Sequence, residues 1–209
     1  MKLLDFDEGL DTTVTITRAK SKKPRQTKIK NAALTSSDDP NWVTPDEGVL
    51  DVERAMWADL GLVIDLDPYS SNIANKIVRA TRYLTEADDG FAQPHVCEAQ
   101  HNNHPGGTTK QAWKKLIDEV RLGNTKRACW IGFSVAQLCI LADGGDYPHP
   151  MDYSAVLLRK RVDFLKEATL LPGGRPAHGN YVCLINVPCE IVEKHWGPRG
   201  HVTHGKFAI

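Results

Sequence analysis

The chain has 209 residues, enough for one sizeable α/β domain with room for a tail. Its hydrophobic fraction of 41% and charged fraction of 25% are ordinary for a soluble globular protein, and its formal net charge of zero excludes a global attraction to polyanions. No run of about 18 apolar residues is present and the acidic start is unlike a signal peptide, so we expect a cytoplasmic protein without a membrane partner. Five irregularly spaced cysteines favour reduced thiols over a disulfide framework.

Residues 1–40 are predicted to form a basic flexible arm in front of one folded domain, residues 41–209. Between positions 18 and 30 the arm carries seven cations and no acid. Lysine and arginine gain affinity for nucleic acid by releasing its counterions, so this stretch is a candidate phosphate-binding arm, and a solvated tail is the alternative. The arm residues assigned to nucleic-acid contact are Lys20, Lys22, Lys23, Arg25 and Lys28.

The first half of the folded domain is predicted to alternate helices with one buried strand. A helix begins at Thr44, placed as the N-cap, with Pro45 in the first helical position, and Gly61 ends it. Residues 62–66 are apolar except for Asp65 and predict a buried strand. A second helix is expected over residues 70–83, followed by a long polar loop over residues 85–109.

The second half continues the alternation. A helix is predicted over residues 109–122, a strand over 127–133, a short helix over 134–141, and two further strands over 153–158 and 181–185. Strands separated by helices favour an α/β fold, a mostly parallel sheet with helices on both faces.

Two loops of this predicted sheet carry polar residues suited to ligand binding. Asp65, Asp67 and Pro68 follow the first buried strand, and the second loop reads Asn103-His104-Pro105-Gly106. In open α/β sheets, ligands bind outside the carboxyl ends of the strands.

Several motifs occur in a fixed order along the chain: Trp42-x-Thr44-Pro45, Asp65-x-Asp67-Pro68-x-Ser70, Asn103-x-Pro105, Arg159-x-Arg161-x-x-Phe164 and Pro176-Ala-His178-Gly179-Asn180. Together they resemble the phage-type (Dam-like) DNA N6-adenine methyltransferase family over about residues 41–187. The resemblance implies a Rossmann-like class I methyltransferase sheet, S-adenosyl-L-methionine as cofactor and double-stranded DNA as partner. It also implies a role in protecting DNA from restriction inside a phage-infected or lysogenic bacterial cell.

The resemblance also implies roles for particular residues. The side-chain oxygen of Asn103 and the backbone carbonyl of His104 would accept hydrogen bonds from the exocyclic amine of adenine, which localises its lone pair for attack, while Pro105 stiffens the loop and Gly106 follows it. The cofactor would contact Thr44, Pro45, Asp65, Asp67 and Pro68. Arg159 and Arg161 would approach DNA phosphates, with plain surface cations as the alternative.

The second loop departs from the family pattern, Asn-Pro-Pro followed by an aromatic residue or a glycine. His104 replaces the first proline and Gly106 stands at the aromatic position, so nothing local can stack on a flipped base. Residues 96–102 are also more polar than a central buried strand should be. Two alternatives therefore stay open: a catalytically inactive or repurposed methyltransferase-fold protein that binds DNA or a protein partner, and an enzyme that installs a group other than methyl.

Two stretches of the chain are rich in histidine. His95, Cys97, His101 and His104 are all of types that bind zinc, but their spacing matches no zinc module, and no metal site is predicted. Near the end of the chain, His195, Arg199, His201, His204 and Lys206 are interpreted as a basic surface strip. Trp196, which lies within that stretch, is expected to pack in the core.

Overall fold

The computed structural model describes residues 42–142, 145–173 and 179–209. The predicted arm, with its five candidate nucleic-acid contacts, lies outside the described residues, and so do residues 176–178 of the last motif. Over the described ranges, no helix has the length and apolar character needed to cross a membrane.

Nine strands and five α-helices alternate along the described residues. The strands are β1 Trp42–Val43, β2 Leu66–Asp67, β3 Arg82–Tyr83, β4 Cys97–Asn102, β5 Thr125–Gly132, β6 Ser154–Leu158, β7 Leu165–Lys166, β8 Tyr181–Ile185 and β9 Gly200–His204. The helices are α1 Asp51–Asp59, α2 Asn75–Val78, α3 Thr109–Arg121, α4 Ala136–Ala142 and α5 Cys189–Trp196. The segment Asp46–Leu50, which is kinked at Glu47 and Gly48, leads into α1, and 3₁₀ turns span Glu86–Asp88 and Pro150–Asp152.

Seven of these strands form one mixed sheet in the order β3-β2-β4-β5-β8-β6-β9. The four strands from β3 to β5 are parallel, β8 lies antiparallel between β5 and β6, and β9 is antiparallel to β6. Strands β1 and β7 pair antiparallel in a separate two-stranded sheet. The predicted α/β class is therefore confirmed, but the sheet is mixed rather than mostly parallel.

Helices cover both faces of the sheet, as predicted. On one face, α1 and α5 bury their apolar side chains against the sheet, and Trp196 is fully buried with its Nε1 donating to Met56 Sδ at 3.3 Å. On the other face, α3 and α4 pack on the sheet through Trp113, Leu116 and Leu141. The packing role predicted for Trp196 is confirmed.

The predicted polar loop over residues 85–109 is wrong, because it contains β4. This strand is fully buried over its last four residues although it is polar. Two of its polar side chains have partners inside the protein: His101 Nδ1 donates to Glu53 at 2.7 Å, and Gln100 Oε1 accepts from the Thr125 hydroxyl at 3.0 Å. Gln100 Nε2 and the Asn102 amide have no hydrogen-bond partner among the described residues. Buried polar groups are tolerated when they are hydrogen bonded, so composition alone underestimated this strand.

Two helix predictions also change in the structure. The helix predicted over residues 70–83 shrinks to the single turn α2, and residues 82–83 form β3 instead. The helix predicted to begin at Thr44 begins instead as α1 at Asp51, with Leu50 as its N-cap, and the Thr44 hydroxyl bonds to the His101 ring. Gly61 does follow the end of α1 in the left-handed region, with φ of 68°.

The predicted basic strip near the end of the chain is largely neutralised by acids. His195 lies 2.7 Å from Asp59, and His204 lies 3.1 Å from Glu193. The other two pairs are Arg199 with Asp51 and Lys206 with Asp152. These ion pairs leave much less positive charge on this surface than the sequence suggested.

The close approach of β5 and β8 requires a glycine at position 132. A Cβ there would lie 2.1 Å from the rigid ring of Tyr181, whereas a Cβ at Gly179 would meet only Val135, at 3.6 Å. Gly132→Ala should lower the free energy of unfolding by about 1 to 3 kcal/mol in urea denaturation, the cost of overpacking a core. Gly179→Ala is the matched control and should change it by less than about 0.5 kcal/mol. Equal effects of the two substitutions would contradict this packing.

Candidate cofactor cleft

A cleft of about 1000 Å³ lies at the carboxyl edge of the parallel strands. The loops that follow β2, β3 and β4 form most of its wall, and β1 closes one side. Ligands of open α/β sheets bind at this edge. The wall includes Trp42, Val43, Pro68, Tyr69, Glu86, Phe91, Asn103, His104 and Pro105.

Pro68 is the first residue after β2 that lines the cleft, and Asp65 and Asp67 before it do not line it. Asp67 is buried, its Oδ1 accepts from the Tyr69 backbone N–H at 3.2 Å, and burial raises the pKa of its carboxyl group. Asp65 forms an ion pair with Arg82 at 3.2 Å, away from the cleft wall. The two aspartates therefore shape the end of the strand, and Pro68 is the predicted cofactor residue that reaches the cleft.

The loop after β3 packs tightly onto the loop after β2. A Cβ at Gly90 would lie 2.0 Å from the Pro68 carbonyl oxygen, so only glycine permits this approach. The Gly90 carbonyl lies 2.7 Å from His95 Nε2. These contacts hold the rings of Tyr69 and Phe91, whose centroids are 4.7 Å apart, in the cleft wall.

The same loop carries Glu86, which sequence reasoning missed. Its side chain is exposed at the cleft, and its carboxylate has no hydrogen-bond partner within the described ranges. Glu86 stands 19 positions after Asp67 (86 − 67). In dinucleotide-binding sheets, an acid about 20 residues after the first loop binds ribose hydroxyls. The spacing from Asp67 could have identified Glu86 from the sequence. It was overlooked because residues 85–109 were assigned to a polar loop.

The loop after β4 places Asn103 in the wall with a fixed orientation. Its Nδ2 donates to the backbone carbonyl of Trp42 at 2.7 Å, which identifies the other amide atom as the oxygen. This Oδ1 is buried and has no hydrogen-bond partner among the described residues. A buried acceptor without a donor costs about 1 to 3 kcal/mol, so Asn103 is ready to accept a hydrogen bond from a ligand.

His104, next in the wall, is a neutral buried ring. Its centroid lies 4.5 Å from that of Trp130 and 5.2 Å from that of Phe133. Its Nδ1 donates to the Pro105 carbonyl at 3.1 Å, and burial lowers the pKa of the imidazole to about 4.

Gly106 lies outside the wall. Position 106 lacks the aromatic residue of the family pattern, but other parts of the cleft wall carry aromatic rings, those of Trp42, Tyr69 and Phe91.

A fully buried polar network supports this loop from the α1 face. His101 donates from Nδ1 to Glu53, Glu53 accepts from Trp57 Nε1 at 3.1 Å, and His101 Nε2 lies 3.3 Å from the Thr44 hydroxyl. Thr44 and Pro45, predicted to contact the cofactor, are thus absent from the cleft wall, and their neighbours in β1 line it instead.

Arg159 and Arg161 lie at the same edge of the sheet as the cleft. Gly132 and Leu157 both pair with Tyr181 of β8, so β5 and β6 end at the same level. The two arginines follow β6 directly and are exposed to solvent. Their position is suited to contact a long ligand that extends beyond the cleft.

The four zinc-type residues around β4 serve separate structural roles. His95 bonds to Gly90, His101 to Glu53 and His104 to Pro105, and burial raises the pKa of the Cys97 thiol to about 12. In the described part of the chain, no group of three or more His, Cys, Asp or Glu side chains is arranged to hold a metal ion.

Comparison of the chain with models of known protein families, with curated proteins and with solved structures found no match.

The network under the cleft predicts a pH-dependent stability. Burial opposes the charge on His101, but the Glu53 carboxylate outweighs burial and raises its pKa above the ordinary 6.5. A raised folded-state pKa stabilises the fold fully below pH 6.5, and this stabilisation is lost as the pH rises through the raised value. His101→Gln should cost about 3 to 5 kcal/mol at pH 6, and the difference from wild type should shrink at higher pH in denaturant titrations.

Arg199→Gln is the control for this prediction. It removes an exposed ion pair with Asp51 and should cost less than about 1 kcal/mol, with no such trend between pH 6 and 9. A cost of His101→Gln that does not vary with pH would contradict a charged His101.

Proposed function

We propose that the chain is an S-adenosylmethionine-dependent DNA adenine N6-methyltransferase. The observation that carries the proposal is Asn103, whose Oδ1 is a buried, oriented and unpartnered acceptor at the carboxyl end of a parallel strand. An exocyclic amine needs such an acceptor to become nucleophilic, because its lone pair is otherwise delocalised into the ring.

The order of the strands is compatible with this proposal. Parallel strands β3, β2, β4 and β5 are followed by an antiparallel strand, β8, inserted before β6, which again runs parallel to β5. The sheet ends in a further antiparallel strand, β9, and its parallel half is compatible with a Rossmann-like methyltransferase sheet. It places the loops after β2, β3 and β4 side by side, where such a sheet binds its cofactor.

The cleft residues fit S-adenosylmethionine in size and chemistry. A volume of about 1000 Å³ is at the upper end of the range for small-molecule sites. The free carboxylate of Glu86 is suited to ribose hydroxyls, and the apolar rings of Tyr69 and Phe91 are suited to a flat base. When bound, this cofactor supplies an electrophilic methyl group on a sulfonium.

Asn103 would act on the target amine through hydrogen bonding alone. Its Oδ1 would accept an amine N–H, which draws the nitrogen lone pair out of conjugation and aims it at the methyl carbon. As the nitrogen–carbon bond forms, the carbon–sulfur bond would break with its electron pair remaining on sulfur, and the surplus amine proton would pass to solvent. The hydrogen bond from its Nδ2 to the Trp42 carbonyl holds the amide in the required orientation. A base within a duplex cannot reach this buried atom, so the target adenine must leave the stack.

DNA as the partner is supported by the loop after β6. Arg159 and Arg161 are exposed after β6, at the same edge of the sheet as the cleft, and this position suits contacts to backbone phosphates of a bound duplex. Such contacts position the duplex without reading its sequence.

The test is methyl transfer from S-adenosylmethionine to unmethylated DNA, with N6-methyladenine quantified by mass spectrometry after digestion. The wild type should form N6-methyladenine, and Asn103→Ala should reduce kcat by at least about 100-fold, the usual cost of losing one preorganised polar contact. The melting temperature should show that the variant is folded.

Asn124→Ala is the matched control. Asn124 also uses its Nδ2 in a hydrogen bond, to Glu119 at 2.7 Å, but it precedes β5 at the opposite edge of the sheet. Its substitution should leave methyl transfer unchanged. A folded Asn103→Ala with wild-type activity would contradict the proposal, and so would a wild type that binds the cofactor but methylates no adenine.

A further inference from the structure

The cleft wall carries an excess of negative charge. Its charged side chains within the described ranges are Glu86, Asp89 and Glu167, and no lysine or arginine of those ranges lines it. The histidine of the wall, His104, adds no positive charge, because burial lowers its pKa to about 4. The chain as a whole has a formal net charge of zero, so the negative charge is a local feature of the cleft.

Two of the three carboxylates have no partner within the protein that the structure describes. Asp89 Oδ1 accepts from the backbone N–H of Phe91 at 3.2 Å, whereas Glu86 and Glu167 form no hydrogen bond or ion pair with any described residue. Charges of one sign that line a concave, partly apolar wall focus their field into the cleft. Their field therefore acts on whatever ligand the cleft holds.

The two unpaired carboxylates enter the wall from different directions. Glu86 belongs to the loop after β3, which is the edge strand of the large sheet. Glu167 directly follows β7, one residue beyond the pair that Lys166 makes with Trp42 of β1. The Trp42 carbonyl holds the amide of Asn103, so Glu167 stands on the Asn103 side of the cleft.

The other residues of the wall point to a ligand independently of its charge. Asn103 is only 9% exposed, and its buried Oδ1 has no hydrogen-bond partner among the described residues. The rings of Tyr69 and Phe91 add an apolar surface to the same wall. The matching ligand has a flat apolar group, a hydrogen-bond donor and a positive charge, and a phosphate group would be repelled.

We propose that the cleft selects its ligand by positive charge, and that Glu167 is the residue that favours a sulfonium over a neutral thioether. This inference rests on the proposed function and deepens it. If the target amine is held at Asn103, the sulfonium methyl must face Asn103, on the side where Glu167 stands. S-adenosylmethionine has one net positive charge, which is lost when the methyl group leaves. The wall therefore holds the cofactor more tightly than the spent product, S-adenosylhomocysteine.

The test is isothermal titration with each of these two ligands in the absence of DNA, so that no methyl group is transferred. At low salt the wild type should bind S-adenosylmethionine roughly 10-fold more tightly than S-adenosylhomocysteine. At about 1 M salt, where the screening length falls to about 3 Å, this ratio should shrink. Glu167→Gln keeps the size of the side chain and removes its charge. It should weaken S-adenosylmethionine binding roughly 10-fold and change S-adenosylhomocysteine binding by less than about 2-fold.

Glu190→Gln is the matched control. Glu190 is an exposed glutamate in the first turn of α5, outside the cleft wall, and its substitution should leave both affinities unchanged. Equal affinities of the wild type for the two ligands, or an equal loss of both in Glu167→Gln, would overturn the selection by charge and leave cofactor binding intact. Absence of binding of either ligand to the wild type would contradict the proposed function as well.

A second readout needs no variant and tests the rejection of anions. Adenosine and adenosine 5′-monophosphate share a base and a ribose, but the phosphate adds about two negative charges. In competition with S-adenosylhomocysteine for the wild type, adenosine should be at least roughly 10-fold the stronger competitor. Competition by the monophosphate that equals or exceeds that of adenosine would overturn the inference.

Discussion

The hydrogen bond between His101 and Glu53 makes the rest of the site possible. It joins two fully buried ionisable side chains, one in β4 and one in α1. An isolated charge in this position would cost several kcal/mol, and each partner removes that cost for the other. The pair therefore allows a polar strand to run between β2 and β5. The same His101 ring contacts Thr44, which fixes the chain that enters β1.

This buried network also fixes the orientation of residues in the cleft wall. Strand β1 is fixed by Thr44 on one side and by its pairing with β7 on the other, and its Trp42 carbonyl orients the Asn103 amide. The donors of Asn103 and His104 are thus used within the protein, and their acceptors are left over. Under the proposed function, the unpaired Oδ1 of Asn103 is the acceptor for the target amine.

Hydrophobic patterns predicted the regular parts of this fold, and pairing between distant residues decided the rest. Helix α3 and strand β8 carry apolar side chains at the spacing of their structures, so both were predicted within one or two residues. Strand β4 was missed because its burial depends on Glu53, 48 positions away from His101.

For the site, the motifs located Pro68, Asn103 and His104. They did not reveal that Asp67 and Thr44 support the wall from behind, or that Glu86 faces the cleft.

The central claim is that the cleft at the ends of β2, β3 and β4 binds S-adenosylmethionine. Isothermal titration with S-adenosylhomocysteine tests it most directly, with Ala87→Trp to fill the cleft and Ala58→Trp on the exposed face of α1 as control. We expect micromolar binding to the wild type and to the control, and none to Ala87→Trp. Absence of binding to the wild type, or equal binding to all three proteins, would contradict it.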